Sequence, residues 1–338
     1  MTTKSAVSTI NSESPWKSMD QLSVVSLFAG AGGLDLGLIH AGHKVVWANE
    51  IDEDAAATYE NNIGAHIRKG DIANFDPSEI PHCDLLVGGL PCQGFSLANI
   101  HKTEADKRND LYLQFARFLQ HLNPKYFLIE NVRGIKSLEG GEVFSRIIDV
   151  MSNVGPDGYR VDHVVVNASH YGVPQNRIRV LISGVRGDLE GSHRFKLPPA
   201  THSNKTTIAD LPPLVSIESA LAGIPEPDST HELKNHIGSK YKVTNRNFTG
   251  HRKTDPSKPS PTILARGDGR GGVCAIQHPE NHRRMTVRES ARVQSFPDDF
   301  EFVGGLMSMY RQVGNAVPVK LAEHIGYAFQ KKLGIPNE

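Results

Sequence analysis

The sequence predicts an α/β fold with a doubly wound, mostly parallel sheet and a second, smaller, loop-rich domain. Short runs rich in Val, Ile, Leu and Phe alternate with helical patterns, as in consecutive βαβ units. These runs are continuously apolar, which is typical of strands buried on both faces. After about residue 187 the alternation gives way to a stretch rich in Pro, Gly, Ser, Thr, Asn and His. With 338 residues the chain is long enough for both parts.

The predicted elements follow a Ser- and Thr-rich tail, residues 1–21, which we expect to be disordered. Four strands are predicted at SVVSLF (23–28), KVVWAN (44–49), DLLVGG (84–89) and YFLIEN (126–131). A helix is predicted over 110–122, because one helical face collects Leu111, Phe115, Phe118, Leu119 and Leu122. A helix near 142–153 and two β-rich runs, 159–168 and 177–185, come next. Thr286 and Glu289 form a capping-box pattern that begins a helix, which we expect Pro297 to end, and a last helix is predicted from Pro318 to Lys332.

Charge is balanced over the whole chain, with 37 Lys and Arg against 37 Asp and Glu, but it is unevenly distributed. Residues 21–130 hold 8 basic and 14 acidic side chains, a balance of −6, whereas residues 191–290 hold 15 and 9, a balance of +6. The asymmetry suggests two regions with different partners. Charge alone leaves ordinary surface scatter as an equal alternative.

Three features bear on compartment. The first 20 residues lack the apolar core of a signal peptide, and no apolar stretch approaches the ~18 residues that span a bilayer. The three cysteines, Cys83, Cys92 and Cys274, make no disulfide framework, and their spacing fits no zinc site. We therefore expect a cytoplasmic protein without a metal.

A Gly-rich turn follows the first strand at Phe28-Ala-Gly30-Ala-Gly32-Gly33-Leu34. Such a turn lets a ligand approach the backbone closely, but Asp35 occupies the place of the third glycine of a dinucleotide fingerprint, which disfavours NAD. Glu50 ends the next strand, where a carboxylate can bind both hydroxyls of a ribose. Asp71 follows a third turn and could accept from an adenine amino group. Together these residues indicate a nucleoside cofactor; the alternative is a plain tight turn.

Cys92 follows the strand predicted at 84–89, within Pro91-Cys92-Gln93, and Glu130 lies at the end of the strand predicted at 126–131. Ligands of doubly wound sheets bind at the carboxyl ends of the strands, so Cys92 and Glu130 are expected beside the Gly-rich turn. A thiol nucleophile beside a carboxylate is a reactive arrangement. The alternative, a small buried hydrophobe, is the interpretation we give to Cys83 and Cys274.

Six motifs in this order resemble those of the DNA (cytosine-5)-methyltransferases, and the short chain resembles the bacterial restriction–modification type. FAGAGG (28–33) is similar to the family's cofactor loop, GLPCQGFS (89–96) to its nucleophile loop and ENV (130–132) to its carboxylate motif. QNRIR (175–179) resembles the paired-arginine motif, residues 283–300 the helix that returns to the catalytic domain, and QVGNAV (312–317) the closing motif.

The resemblance implies a Rossmann-like fold that uses S-adenosylmethionine, with S-adenosylhomocysteine as the product. It divides the chain into a catalytic and cofactor-binding domain (22–186), a target-recognition domain (187–282) and a return segment (283–338). The catalytic residues would be Cys92, Glu130, Arg177 and Arg179. The cofactor-binding residues would be Phe28, Gly30, Gly32, Gly33, Leu34, Glu50, Ile51, Asp71, Ile72, Pro91, Leu111, Asn315 and Val317. Ile51 replaces an aromatic residue that is frequent in relatives, so aliphatic packing would replace stacking on adenine.

The implied reaction moves a methyl group to carbon 5 of a cytosine flipped out of duplex DNA, through an adduct between Cys92 and carbon 6. Partners would be a specific short DNA site and a possible cognate restriction endonuclease acting on the same site, with the protein itself a monomer. Residues expected at the DNA are Gln93, Ser96, Thr262, Arg266 and Arg270. A solvated Gly-rich turn is an equal alternative for the segment from Arg266 to Arg270.

Three alternatives remain at this point. An RNA cytosine methyltransferase of the same superfamily would keep the chemistry, although Gly94-Phe95-Ser96 resembles the DNA enzymes. A catalytically inert DNA-binding relative is disfavoured by the intact Cys92, Glu130, Arg179 and Asn315. An NAD-dependent oxidoreductase is disfavoured by the missing third glycine and by the nucleophilic cysteine.

Overall fold

The computed structural model describes residues 21–91, 111–189, 195–204, 211–238, 254–265, 276–280 and 283–329. Cys92 and Cys274, with Gln93, Ser96, Arg266 and Arg270, lie outside the described residues, and so does the predicted tail up to residue 20. Within the described residues no helix is both long and apolar enough to cross a membrane.

A seven-stranded mixed sheet carries the fold, in the order β3-β2-β1-β4-β5-β7-β6. The strands are β1 Ser23–Leu27, β2 Lys44–Glu50, β3 Ile67–Lys69, β4 Leu85–Gly89, β5 Tyr126–Val132, β6 Tyr159–Asn167 and β7 Ile178–Arg186. The first five strands pair in parallel, whereas β7 pairs antiparallel with β5 and with β6. The predicted mostly parallel, doubly wound sheet is confirmed.

Helices cover both faces of this sheet. The helices of the described residues are α1 Gly33–His40, α2 Glu53–Asn62, α3 Leu111–Leu122, α4 Glu142–Asn153, α5 Ile217–Leu221, α6 Val287–Val293, α7 Leu306–Asn315 and α8 Val319–Ala328. Apolar side chains of α1, α2 and α8 pack on one face, and those of α3 and α4 pack on the other. The predicted apolar face of α3 is buried from Phe115 to Leu122, while Leu111 is half-buried.

The chain reverses its direction of travel across the sheet between β1 and β4, which pair with Leu27 opposite Gly88. Strands β2 and β3 lie on one side of this pair and β5 lies on the other. A crevice at such a switch point is where doubly wound sheets bind ligands. The Gly-rich turn after β1 and the segment that leads to Cys92 after β4 both start there.

The last described helix packs against the first. The backbone at Gly37 of α1 lies so close to Ala322 of α8 that a Cβ atom could not fit between them. At the same interface the buried His43 contacts Gly326. The C-terminal segment therefore completes the face of the sheet that α1 begins.

The middle segment, residues 187–282, has little regular structure in its described residues. Among those described residues α5 is the one helix and strands are absent. Ile217, Leu221 and Ile263 of this segment pack with Met285 and Val293 in one apolar cluster. The predicted division into domains stays a prediction. The capping box at Thr286 and Glu289 is confirmed, but α6 ends at Val293, before the predicted end at Pro297, because Ser295 adopts a left-handed conformation with φ 59°.

Candidate active site

The Gly-rich turn after β1 has a backbone that few side chains tolerate. Phe28, Gly30 and Gly32 have φ angles of 56°, 59° and 91°. A Cβ atom on Gly30 would meet no atom within 4 Å, so the turn leaves open space beside its backbone. The predicted strand over 23–28 therefore ends one residue early, since Phe28 already belongs to the turn. A left-handed phenylalanine stores strain, which proteins retain mainly at functional sites.

Glu50 lies at the end of β2 and binds the turn directly. Its Oε2 atom accepts from the Gly30 N–H at 2.8 Å, and its Oε1 atom accepts from the N–H groups of Ile51 at 2.9 Å and Asp52 at 2.8 Å. Burial raises the pKa of Glu50, while these hydrogen bonds oppose the rise. A carboxylate offers about four acceptor positions and three are in use, so Glu50 Oε2 can still accept from a ribose hydroxyl.

Two further residues follow the carboxyl ends of β2 and β3. Ile51 is 63% exposed, an unusual position for a large apolar side chain next to a half-buried carboxylate. Asp71 precedes a short 3-10 turn, and its Oδ1 atom accepts from the Ala73 N–H at 2.9 Å. The adjacent Ile72 is buried. The turn is held from α3, because Arg117 donates to the carbonyls of Ile72 at 2.9 Å and Phe75 at 3.0 Å.

The other side of the switch point carries an ion pair. Arg179 Nε lies 2.7 Å from Glu130 Oε1, and both side chains are only 9% exposed. The N–H direction is not that of a hydrogen bond, and within the described residues Glu130 Oε1 accepts none. The Oε1 atom is buried against Arg179, so the attraction between the two charges holds the pair together. Asn131 donates to the Leu90 carbonyl at 3.4 Å, which connects β5 to the segment entering Cys92.

Arg177 is 2% exposed and contacts backbone rather than an open site. Its guanidinium donates to the carbonyls of Ile263 at 3.0 Å, Gly314 at 3.0 Å and Ala316 at 2.9 Å. Burial lowers the pKa of Arg177 to about 9, with the charge of Arg179 acting in the same direction. The group is thus still cationic at pH 7, and it joins the middle segment to the closing motif.

A buried glutamine pair extends this connection. Gln175 Nε2 donates to Gln294 Oε1 at 2.8 Å, and Gln175 Oε1 accepts from the Ile263 N–H at 3.0 Å. Gln294 in turn donates to the Val313 carbonyl at 2.7 Å. The sequence motifs indicate no role for Gln294, and they contain Gln175 only as the first residue of QNRIR (175–179). The partners are 119 residues apart, so no local pattern indicates the pair.

The remaining predicted site residues fall around the same edge. The backbone at Gly33 comes so close to the Val317 carbonyl that a side chain is excluded. Asn315 ends α7 with an exposed side chain, and Leu34 is buried in the core. Thr262 donates its hydroxyl to the Asn176 carbonyl at 2.6 Å. The structure therefore brings Glu50, Glu130, Arg179 and the closing motif to one edge of the sheet.

Residues 22–331 match the family model described as C-5 cytosine-specific DNA methylase. The chain belongs to this family. It is therefore a DNA (cytosine-5)-methyltransferase, as the sequence motifs predicted. The alternative of an NAD-dependent oxidoreductase is therefore wrong.

Several curated relatives of this methylase are similar over most of their length. The Type II methyltransferase M.NgoFVII of Neisseria gonorrhoeae is 38% identical over 346 residues, covering 94% of this chain and 89% of the relative. M.BspRI of Lysinibacillus sphaericus is 36% identical, with coverages of 93% and 82%. M.MthTI of Methanothermobacter thermautotrophicus is 35% identical, with coverages of 94% and 99%.

Solved structures show the same fold for the methylase. A protein described as a DNA modification methyltransferase of an Escherichia coli prophage has a TM-score of 0.71 at 26% identity, covering 91% of this chain and 98% of that one. The Dnmt2 methyltransferase of S. pombe has a TM-score of 0.66 at 22% identity, covering 90% and 97%, and at this identity the likeness concerns the fold alone. Within the described residues, no group of three or more His, Cys, Asp or Glu could hold a metal ion.

Proposed function

We propose that this methylase transfers a methyl group from S-adenosylmethionine to carbon 5 of a flipped-out cytosine in a specific duplex sequence. The proposal depends most on one observation. The Glu130–Arg179 pair lies at the sheet edge that also carries the Gly-rich turn, and Asn131 joins its strand to the segment entering Cys92. A carboxylate, a guanidinium and a thiol would thus meet one base beside a nucleoside site.

The chain's own residues fit S-adenosylmethionine. Glu50 would bind the ribose hydroxyls, and the second carboxylate oxygen of Asp71, Oδ2, would accept from the adenine amino group. Ile51 and Ile72 would provide apolar packing for the adenine ring, and the surface of Ile51 that is now in water would become buried. The open space at Gly30 suits the methionine part of the cofactor.

Other residues would complete the cofactor site by their place around it. Phe28, Gly32, Gly33 and Leu34 belong to the turn and the start of α1. Pro91, Leu111, Asn315 and Val317 come from the elements that surround the crevice. When bound, S-adenosylmethionine supplies a methyl group on a cationic sulfur and leaves as neutral S-adenosylhomocysteine.

Cys92 would act as the nucleophile, because carbon 5 of neutral cytosine is a poor one. The thiolate forms a bond to carbon 6, and the ring electrons move to carbon 5, which takes the methyl group. Water then removes the proton from carbon 5, the electrons return, and the thiolate leaves carbon 6. The cysteine is regenerated and the base gains one methyl group in place of one hydrogen.

Glu130 would bind N3 and the exocyclic amine of the base, drawing electron density toward that side of the ring. Arg179 would bind O2 of the base while balancing the charge of Glu130. Arg177, which contacts three backbone carbonyls, would support the site without touching the base. Such preorganised charges act strongly in a site that excludes water.

Duplex DNA would bind along the basic middle segment, whose phosphate contacts would offset the few kcal/mol that base flipping costs. Base edges would be read by the loop that contains Arg266 and Arg270, with Gln93, Ser96 and Thr262 contacting the DNA nearby. A role in restriction–modification, with an endonuclease of the same specificity, fits the Type II relatives. The protein would act as a cytoplasmic monomer.

The test is methyl transfer by the purified full-length protein from tritium-labelled S-adenosylmethionine. Duplex plasmid DNA should accept label and transfer RNA should not. Bisulfite sequencing of plasmid from an expressing host should then show methylcytosine at one recurring short sequence. Label in transfer RNA alone would replace the DNA substrate with RNA, and label in neither polymer would support an inert relative.

A further inference from the structure

A buried carboxylate lies directly behind the Gly-rich turn. Asp35, in the first turn of α1, is 0% exposed. Its Oδ1 atom accepts from Ser26 Oγ at 2.7 Å, and its Oδ2 atom accepts from the Tyr59 hydroxyl at 2.8 Å. Both partners are neutral, and no Lys or Arg of the described residues forms an ion pair with Asp35. An isolated buried carboxylate is costly, so a purely structural position would more commonly hold an apolar residue.

The two partners of Asp35 come from the elements that frame the turn. Ser26 lies on β1, two residues before Phe28, and Tyr59 lies on α2. The Tyr59 ring packs behind Gly32, where an added Cβ atom would lie 2.8 Å from Tyr59 Cδ2. The Tyr59 ring therefore supports the backbone of Gly32 from behind.

The turn is thus held from two sides. On the crevice side, Glu50 accepts from the Gly30 N–H at 2.8 Å. On the inner side, Asp35 fixes Ser26 and Tyr59, which bound the start and the end of the turn. The positive φ angle of Phe28 makes this backbone conformation unfavourable on its own, whereas Gly30 and Gly32 adopt theirs freely. Such a conformation persists when its surroundings hold it.

We propose that Asp35 is a positioning residue for the cofactor: its carboxylate, through Ser26 and Tyr59, holds the turn Phe28–Gly33 in the conformation that binds S-adenosylmethionine. The inference deepens the proposed function and rests on it for the identity of the ligand. Asp35 has no exposed surface, so it acts through the turn rather than by contact with the cofactor.

The pH dependence of cofactor affinity distinguishes this role from a purely packing role, because packing alone does not make the affinity change with pH. Burial raises the pKa of Asp35 to about 6, against the effect of its two hydrogen bonds. A protonated Asp35 carries its own hydrogen, so one of the two hydroxyls that now donate to it must turn away. The Tyr59 hydroxyl also lies 3.0 Å from His66 Nε2, which gives it a second partner.

The titratable groups that face this site are Tyr59 on α2 and His66 before β3. Burial and the charge of Asp35 raise the pKa of Tyr59, whereas burial and the nearby Arg68 lower the pKa of His66. Glu50, on the crevice side of the turn, also has a raised pKa. The pH dependence of cofactor affinity in the wild type therefore contains contributions from several titratable groups. Comparison with an Asp35 variant isolates the contribution of Asp35.

The experiment measures S-adenosylmethionine affinity by calorimetry on the full chain, for the wild type, Asp35→Asn, Tyr59→Phe and the double variant. At pH 7.5 we expect Asp35→Asn to bind about tenfold more weakly, the scale of a hydrogen bond to a charged group. The KM for the cofactor should rise while kcat at saturating cofactor changes little. The double variant should bind about as weakly as Asp35→Asn, because both changes interrupt one chain of contacts. Between pH 7.5 and 5 the Asn variant should lose less affinity than the wild type.

His43→Leu is the matched control, because His43 is also buried and hydrogen-bonded but lies at the start of β2, at the opposite edge of the sheet. It should unfold more easily and bind cofactor normally. If Asp35→Asn fails to fold, Tyr59→Phe decides, since it keeps the ring behind Gly32 and removes only the hydroxyl. Wild-type affinity in the folded variants would overturn the role of Asp35. Absence of binding by the wild type would instead overturn the proposed function.

Discussion

The side chains of Arg179 and Glu130 meet near the carboxyl end of β5, with Nε and Oε1 2.7 Å apart and both side chains nearly buried. The pairing follows from the antiparallel register in which β7 meets β5, with Arg179 opposite Val132 and Leu181 opposite Glu130. Two adjacent strands thus supply opposite charges to one point.

Replacing Glu130 by Gln keeps the size of the side chain and removes its charge. We expect methyl transfer to fall about 100-fold or more, the scale of a positioned acid or base. Loss of one partner from a buried pair also leaves Arg179 unbalanced, so the free energy of unfolding should fall by roughly 3–5 kcal/mol. Tritium transfer and denaturant unfolding measure the two effects. Undiminished transfer by a folded Gln variant would remove Glu130 from the chemistry.

Replacing Glu50 by Ala should weaken S-adenosylmethionine binding by about 1.5–3 kcal/mol, the range for hydrogen bonds to a charged group. The variant also frees three backbone N–H groups that Glu50 now satisfies, so part of the loss comes from a loosened turn. Glu50→Gln retains an acceptor oxygen and should lose less. Calorimetry checks the order of the three proteins, and equal affinities would refute the assignment of Glu50.

A duplex carrying 5-fluorocytosine at the target should form a complex that survives denaturing electrophoresis, since fluorine cannot leave as a cation after methyl transfer. Formation should require S-adenosylmethionine. Cys92→Ser should give no such band, because a hydroxyl is a weaker nucleophile than a thiol.

Two other cysteines serve as controls for this experiment. Cys83 is buried, and burial raises the pKa of its thiol to about 12, so it should not react. Cys83→Ser and Cys274→Ser should both trap normally. A covalent band from Cys92→Ser, or its loss in a folded Cys83→Ser protein, would show that the nucleophile lies elsewhere.

Target choice should depend on the middle segment. Arg266→Ala and Arg270→Ala should relax or abolish selection of the DNA sequence, while cofactor affinity remains that of the wild type. Bisulfite sequencing compares the methylated sites. Lys258→Ala is a suitable control, since Lys258 belongs to the same segment but pairs with Asp255 on an exposed surface. If both arginine variants methylate the same sites at the same rate, another loop reads the DNA.

His43 should make the fold sensitive to acid. Its Nδ1 atom accepts from the Leu22 N–H at 3.2 Å, so its Nε2 atom carries the proton donated to the Gly326 carbonyl at 2.9 Å. This neutral form is favoured in the folded state, where burial lowers the pKa of His43. The unfolded chain therefore takes up the proton first as the pH falls below ~6.5.

The free energy of unfolding should consequently decrease below that pH, by at most ~1.4 kcal/mol per pH unit from this residue. Other buried histidines contribute in the same direction, among them His236 and His278. The difference between the wild type and His43→Leu isolates the share of His43. Parallel stability curves for the two proteins between pH 5 and 7 would contradict the prediction.

Local pattern was sufficient for much of the fold. The apolar runs located β1, β2, β4 and β5 to within about one residue, because strands buried on both faces leave no polar interruption. The capping box located the start of α6 for a similar reason, since its two hydrogen bonds join residues only three apart. The left-handed conformation of Phe28 could not be expected, because no sequence rule assigns a positive φ to phenylalanine.

Parts of the candidate site depend on contacts that sequence spacing does not reveal. In the sequence, Asp35 stands out only because it occupies the place of a glycine. In the structure its carboxylate accepts a hydrogen bond from Tyr59, 24 residues away. Gln175 meets Gln294 across 119 residues. Motif resemblance located the residues proposed to touch substrate, whereas the buried groups that hold those residues in place had to be read from the structure.

The packing of α8 on α1 has a consequence for synthesis of the protein. As the chain leaves the ribosome, the part of α1 that contacts α8 stays uncovered until residues 319–328 emerge, almost 300 residues later. Contacts of such long sequence separation slow folding, and the uncovered surface invites aggregation in the meantime. We therefore expect the nascent methylase to aggregate more readily than a protein whose neighbouring helices are consecutive in sequence.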